Sequence, residues 1–130
     1  MKSLLLDTHV VIWWLISPQR LSRRAYALIE SADVAVSVIS IWEMLLKSGR
    51  GKLKLPSGDL PALIEAQGFR ILPLSVAHVV AAADLGGLHA DPDDRMIVGT
   101  ARAEGLVLVT RDAQILERAA PVLGGLLMEA

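Results

Sequence analysis

Residues 4–6 and 106–109 are apolar at every position, and residues 34–38 form a short β-branched run. A strand with one solvated face alternates apolar and polar residues, so unbroken apolar runs this short indicate strands covered on both faces. Between them lie segments of helical period. Helices are expected over 8–16, broken by Ser17-Pro18, and over 22–32, where Ser22 can cap and Ala25, Leu28 and Ile29 share a face. Another is expected over 40–48, stopped by Gly49 and Gly51, and a further one over 60–67, closed by Gly68. A strand over 69–72 precedes an alanine-rich helix over 75–85 that ends at Gly86-Gly87. Asp91-Pro92 opens a helix running to Glu104, with Gly105 as its stop. A final helix over 112–119 and a last strand over 126–128 complete the order. Strands alternating with helices predict an α/β fold: three α/β/α layers around a central, mostly parallel sheet. The length of 130 residues predicts a single domain, 1–130.

Composition narrows the class. Net charge is −1, so no global basic field marks a nucleic-acid binder, although a local patch would not show in that sum. The absence of cysteine excludes disulfides and thiolate metal sites. Asp7 and His9 interrupt the first apolar run, and residues 10–16 fall far short of the roughly 20 apolar residues that span a bilayer. The expectation is a soluble cytoplasmic protein with neither a signal peptide nor a membrane segment.

Carboxylates recur at one address. In open α/β sheets, ligands bind beyond the carboxyl ends of the strands. Asp7 follows the first strand directly. Glu43 is expected in the first turn of the helix after the second strand. Asp112 comes shortly after the strand ending at Val109, and Asp94 lies in the first turn of the helix opened by Asp91-Pro92. A parallel sheet puts Asp7, Glu43 and Asp112 at one edge, and Asp94 joins them if its helix starts there. Each acid also has a capping reading: Asp7, Asp91 and Asp112 as N-caps, Ser40–Glu43 as a capping box, and Asp94 as an acid at a helix N-terminus. The set argues for more. Two unit charges about 4 Å apart repel by roughly 4 kcal/mol at an effective dielectric of 20, so gathered carboxylates raise their pKa values or attract cations. Oxygen-only donors suit Mg²⁺ or Mn²⁺, and in-line phosphodiester hydrolysis uses such ions.

The segments LLLDTHVVIWWL, VSVISIWEMLLK followed by GKLKLP, HADPDDRMIVGTA and EGLVLVTRDAQI, in this order, resemble the PIN-domain family and are most similar to its VapC branch. The resemblance implies a metal-dependent ribonuclease, the toxin of a toxin–antitoxin pair. Its acidic quartet falls on Asp7, Glu43, Asp94 and Asp112, with Mg²⁺ or Mn²⁺ as cofactor. Thr8 and Thr110 fall where the family often places a small hydroxyl residue beside the acids. The resemblance further implies RNA substrates such as transfer or ribosomal RNA, a small antitoxin partner and a homodimer. Asp93 stands where the branch usually has an apolar or aromatic residue. A catalytically silent binding module of the same fold is the alternative. A phosphoacceptor receiver domain would want an Asp ending a central strand and a Lys ending a late one, and a dehalogenase-type phosphatase would want a second Asp at position 9. Neither feature is present.

Other residues carry open readings. Trp13 and Trp14 point about 100° apart on one helix, so either one is buried and the other faces a groove or partner, or both are partly buried. Trp42 is expected in the core. His9 and His89 lack a partner histidine at helical spacing, and a hydrogen-bonding role is expected rather than metal ligation. Lys47, Arg50, Lys52 and Lys54 form one basic run, and Arg20, Arg23 and Arg24 another. Such runs are solvated surface or, in a nuclease, phosphate contacts, with Lys47 and Lys52 as candidates for substrate binding. Arg95 and Arg111, beside Asp94 and Asp112, could pair with an acid or a phosphate.

Overall fold

The computed structural model describes residues 3–86 and 91–130. Five strands form one all-parallel sheet: β1 (Leu4–Leu6), β2 (Val34–Ser37), β3 (Arg70–Leu72), β4 (Val107–Thr110) and β5 (Leu127–Glu129). Their order is β3-β2-β1-β4-β5, which places the first strand in the centre. Among the described residues, eight α-helices accompany them: α1 (Thr8–Ile16), α2 (Arg23–Ser31), α3 (Val38–Gly49), α4 (Leu60–Ala66), α5 (Val76–Ala83), α6 (Pro92–Glu104), α7 (Ala113–Arg118) and α8 (Ala120–Leu123). Among the described residues, no helix is long and apolar enough to cross a membrane.

The layers follow from strand geometry. Successive side chains of a strand point to opposite faces. Leu4, Leu6, Val34, Val36 and Val109 accordingly pack with Val10 and Val11 of α1, Ile29 of α2 and Ile64 of α4. Leu5, Ala35 and Leu108 pack on the other face with Ile97 and Val98 of α6, Ile115 of α7 and Leu123 of α8. Both faces of the central strands are therefore covered, as their unbroken apolar runs require. At the amino edge, the Arg70 guanidinium donates to both Asp33 oxygens at 3.1 Å, and Ser3 Oγ donates to Asp33 Oδ2 at 2.7 Å, tying three strand entries together. The pair is exposed, so its worth is at most about 1 kcal/mol.

Two expectations need correction. The second strand ends at Ser37, not Val38, because Ser37 Oγ accepts the Ile39 N–H and turns the chain into α3. Ser40 is thus not the cap, and Glu43 lies in the second turn of α3 rather than the first. Trp42 is 55% exposed and not core. It neighbours Met44, which is completely buried, so the two point to different sides of α3.

Helices α5 and α6 form a closely packed pair. His78 of α5 is 1% exposed. Its Nδ1 accepts the Ser75 N–H at 3.1 Å, which leaves the ring proton on Nε2 to be donated to Glu104 Oε1, 2.7 Å away at the end of α6. Arg95 donates to the last carbonyls of α5, Ala82 at 3.0 Å and Ala83 at 3.4 Å, where the helix dipole favours a cation. Gly99 lets the backbones approach: a Cβ there would lie 2.5 Å from Ala82 N and 2.7 Å from Ala82 Cα. A Gly99→Ala substitution would gain up to about 1 kcal/mol of helix propensity. The clash is with rigid backbone and should outweigh it, for a net loss of about 1–3 kcal/mol. Urea unfolding should show a lower midpoint, and an unchanged or raised midpoint would mean that the contact is looser than described.

Candidate active site

The strand order reverses at β1, so the chain departs in both directions from the sheet centre and leaves a crevice at the carboxyl edge. Asp7 sits at that point. It is 4% exposed, and its backbone N–H donates to the Val109 carbonyl of β4 at 3.0 Å. Its two oxygens have separate partners: Oδ1 accepts the Thr8 N–H at 2.8 Å, capping α1, and Oδ2 accepts the Thr110 hydroxyl at 2.7 Å. The same Thr110 oxygen accepts the Asp112 N–H at 3.1 Å. Asp112 caps α7 through Oδ1, which accepts from Gln114 and Ile115. Its Oδ2 has no hydrogen-bond partner among the described residues.

Glu43 arrives from α3 and is held by Thr8, whose Oγ1 lies 2.8 Å from Glu43 Oε1 and 2.9 Å from Ser40 Oγ. An ionised carboxylate only accepts, so Thr8 gives its one proton to Glu43 and receives its second bond from Ser40. Ser40 is fully buried. The sequence had offered it only as a cap, although its spacing of three from Glu43 on one helix was the available signal. Asp94 arrives in the first turn of α6, whose N-cap Asp91 accepts from both Asp93 and Asp94 N–H groups.

Electrostatics shows which acids share a space. Burial pushes Asp94 up to about 7, and the charges of Asp91, Asp7, Asp112 and Glu43 push in the same direction. Burial also raises Glu43, with Asp93 and Asp7 adding to it against the Thr8 bond and the Lys47 charge. Asp7 is raised by burial despite its Thr110 and Thr8 bonds. Asp93 is raised by burial and by Asp91. The other three predicted acids, Asp7, Glu43 and Asp112, therefore act on Asp94, and the charge of Asp93 acts on Glu43. No three of these groups close into a ligand set among the described residues. The carboxylates at the carboxyl-edge crevice act on one another through their charges without forming a finished cage.

The remaining candidates divide. Lys47 is near enough to Glu43 for its charge to act on that carboxylate. Lys52 is exposed beyond α3, and its N–H donates to the Lys47 carbonyl at 2.9 Å. Arg95 is engaged with α5. Trp13 and Trp14 are both partly buried: Trp14 stacks on Tyr26 at 4.8 Å, while Trp13 faces Arg111 at 5.1 Å. His9 is exposed, its ring 6.3 Å from Trp13. His89 lies outside the described residues. The Arg111–Trp13 pairing was not legible, because 98 positions separate the two residues.

A parallel α/β sheet with carboxylates converging at its reversal point defines the class: an acidic-cleft protein whose donor set is all oxygen. The PIN domain model matches residues 4–121. Ribonuclease VapC22 of Mycobacterium tuberculosis is 36% identical over 118 residues, spanning 88% of this chain and 91% of that protein. DNA-bound VapBC from Salmonella typhimurium superposes with a TM-score of 0.67 at 23% identity, covering 100% of this chain and 98% of that one. FitAcB from Neisseria gonorrhoeae superposes at 0.62 with 25% identity, covering 97% and 95%. The chain belongs to the PIN-domain family, in its VapC branch.

The raised Asp94 has a consequence for stability. Its ordinary value is 3.8, so between pH 4 and 7 the folded chain binds the proton more tightly than the unfolded one. Stability is fully present below that window and is lost as pH rises through it. Asp94→Asn should therefore stabilise the metal-free protein at pH 8 by about 1 kcal/mol, after discounting for solvent screening of a half-buried group. The gain should vanish by pH 4. Thermal melts at the two pH values would check this, and an equal effect at both would contradict the crowding.

Proposed function

We propose that this protein is a metal-dependent endoribonuclease, the toxin of a toxin–antitoxin pair, that hydrolyses RNA phosphodiester bonds in a cleft formed by Asp7, Glu43, Asp94 and Asp112. The observation that carries the reading is the gathering of carboxylates around half-buried Asp94, pushed up to about 7 by burial first and then by the charges of Asp91, Asp7, Asp112 and Glu43. Such crowding is costly without a cation, and an all-oxygen donor set fits Mg²⁺ or Mn²⁺. Either ion, when bound, would activate the attacking water and neutralise the leaving oxygen.

The chain's own residues have distinct tasks. Asp112 acts on Asp94 through its charge and keeps one oxygen for a cation, while its other oxygen fixes α7. Thr110 fixes the Asp7 carboxylate and Thr8 orients Glu43, so the hydroxyls act as positioning residues. Asp94, half-buried and near neutral pKa, is the acid whose ionisation a cation would draw out. Lys47 places positive charge beside Glu43, where it can meet the RNA backbone. The 36% identity to a protein named as a ribonuclease supports the activity. Neighbours described as a toxin–antitoxin complex and as VapBC assemblies support an antitoxin partner. Exposed Trp42, Leu45, Val76 and Val80 supply apolar surface for that partner or for a second copy in a homodimer. The location consistent with this function is the cytoplasm, and transfer or ribosomal RNA is the substrate class.

Purified chain freed of any partner should cut total RNA into discrete products with Mg²⁺ or Mn²⁺, and a chelator should stop it. Asp94→Asn should lose more than about 100-fold in rate, and Thr110→Val about 10–100-fold, the range typical for groups that orient a metal ligand. A fully active Asp94→Asn protein would remove the assignment. Folded protein that cuts no RNA yet binds a partner would favour the silent-module reading.

A further inference from the structure

A second cavity adjoins the acidic cleft. It holds about 190 Å³ and is lined by His9, Trp13, Arg111 and Asp112. This is small beside the roughly 300–1,000 Å³ of sites for drug-sized molecules, and it suits one planar ring. Asp112 belongs to both spaces, so whatever occupies the cavity lies next to the reacting centre.

The walls are aromatic and cationic. His9 and Trp13 are four residues apart and therefore lie on the same side of α1, with their rings tilted by 53°. His9 is exposed and leaves a ring face open. Arg111 is held rigidly: its Nε donates to the Ala130 oxygen and its Nη2 to the Arg20 carbonyl, each at 2.7 Å, with the guanidinium over the Trp13 ring. The Arg20 guanidinium stands 6.0 Å from the same ring and forms no ion pair among the described residues. A ring surface with a cation beside it that no carboxylate among the described residues neutralises matches a heterocyclic base joined to a phosphate. An acidic peptide would use the cation and leave the rings idle.

We propose that this cavity is a nucleotide subsite, in which a base of the RNA strand stacks on His9 and the edge of Trp13 while Arg20 binds its phosphate. The inference rests on the ribonuclease reading and adds the residues that seat the nucleotide flanking the cut. Base–aromatic stacking contributes about 1–3 kcal/mol, so a nucleoside monophosphate should bind about tenfold or more tightly than inorganic phosphate.

The test is NMR titration of the Trp13 indole N–H, assigned with Trp13→Phe, in the full chain with Mg²⁺. The probes are adenosine and uridine 3′-monophosphate, inorganic phosphate and a short glutamate peptide. Any contact of phosphate with bound Mg²⁺ is common to nucleotide and phosphate, so their difference reports the base. Nucleotides should shift the indole about tenfold more tightly than phosphate does. His9→Ala, which removes only an exposed ring, should reduce that preference below about twofold. Arg20→Ala should weaken nucleotide and phosphate alike. Equal binding of nucleotide and phosphate, an unmoved indole, or preference for the peptide would each overturn the proposal. RNA cleavage by the same preparation separates the two readings. Cleavage without nucleotide preference leaves the nuclease standing and removes the subsite. Nucleotide preference without cleavage of any RNA leaves the subsite and removes the nuclease.

Discussion

The site depends on a carboxylate buried at the end of the central strand. Removing a charged group from water is costly unless hydrogen bonds replace the solvent. Asp7 meets that condition with one bond from each side of the crevice, the Thr8 N–H from α1 and the Thr110 hydroxyl from β4. Those bonds make Asp7 a joint between elements as well as a charge. Thr110 passes the connection to the Asp112 backbone, and Thr8 passes it to Glu43 and Ser40. Displacing Asp7 would loosen three of the four acids together.

Capping and chemistry are therefore compatible uses of one residue. A carboxylate has two oxygens, and Asp112 assigns one to the first N–H groups of α7 and leaves the other without a hydrogen-bond partner among the described residues. The helix N-terminus also favours a negative charge there. Burial already disfavours the charged form of Asp7, Glu43 and Asp94 one by one, and the charges of the set add to that at Asp94. The formal net charge of −1 conceals this division. Acids occupy the carboxyl edge, while Lys47, Arg20 and Arg111 stand around it, so an anionic strand can be held beside a cleft that calls for cations.

What could be read in the sequence followed from local rules. Unbroken apolar runs give buried strands, and strand ends in a parallel sheet share one edge, so a common edge for Asp7, Glu43 and Asp112 could be read from order alone, whereas Asp94 depended on where its helix starts. Ser22, Asp91 and Gly105 could be read as helix ends because capping is local. The start of α3 could not, since Ser37 and Ser40 both satisfy the capping rule and only the tertiary contact with Thr8 draws Ser40 into the interior. Trp42 was misplaced because size and apolarity suggest burial, whereas the helix face is set by packing partners distant in the chain. The pairing of Trp13 with Arg111, and the short helix α8 through Pro121, have no periodic signal of their own.

The central claim is that the carboxylate crowding exists to hold a divalent cation. Titration calorimetry with Mn²⁺, repeated in buffers of different ionisation enthalpy, measures the binding and the protons it releases. With Asp94 poised at about 7, binding at pH 7 should release about half a proton per protein, and at pH 8.5 almost none. Asp94→Asn should abolish the release and weaken the binding. Failure of Mn²⁺ to bind, or binding with the same proton release at both pH values, would contradict the account.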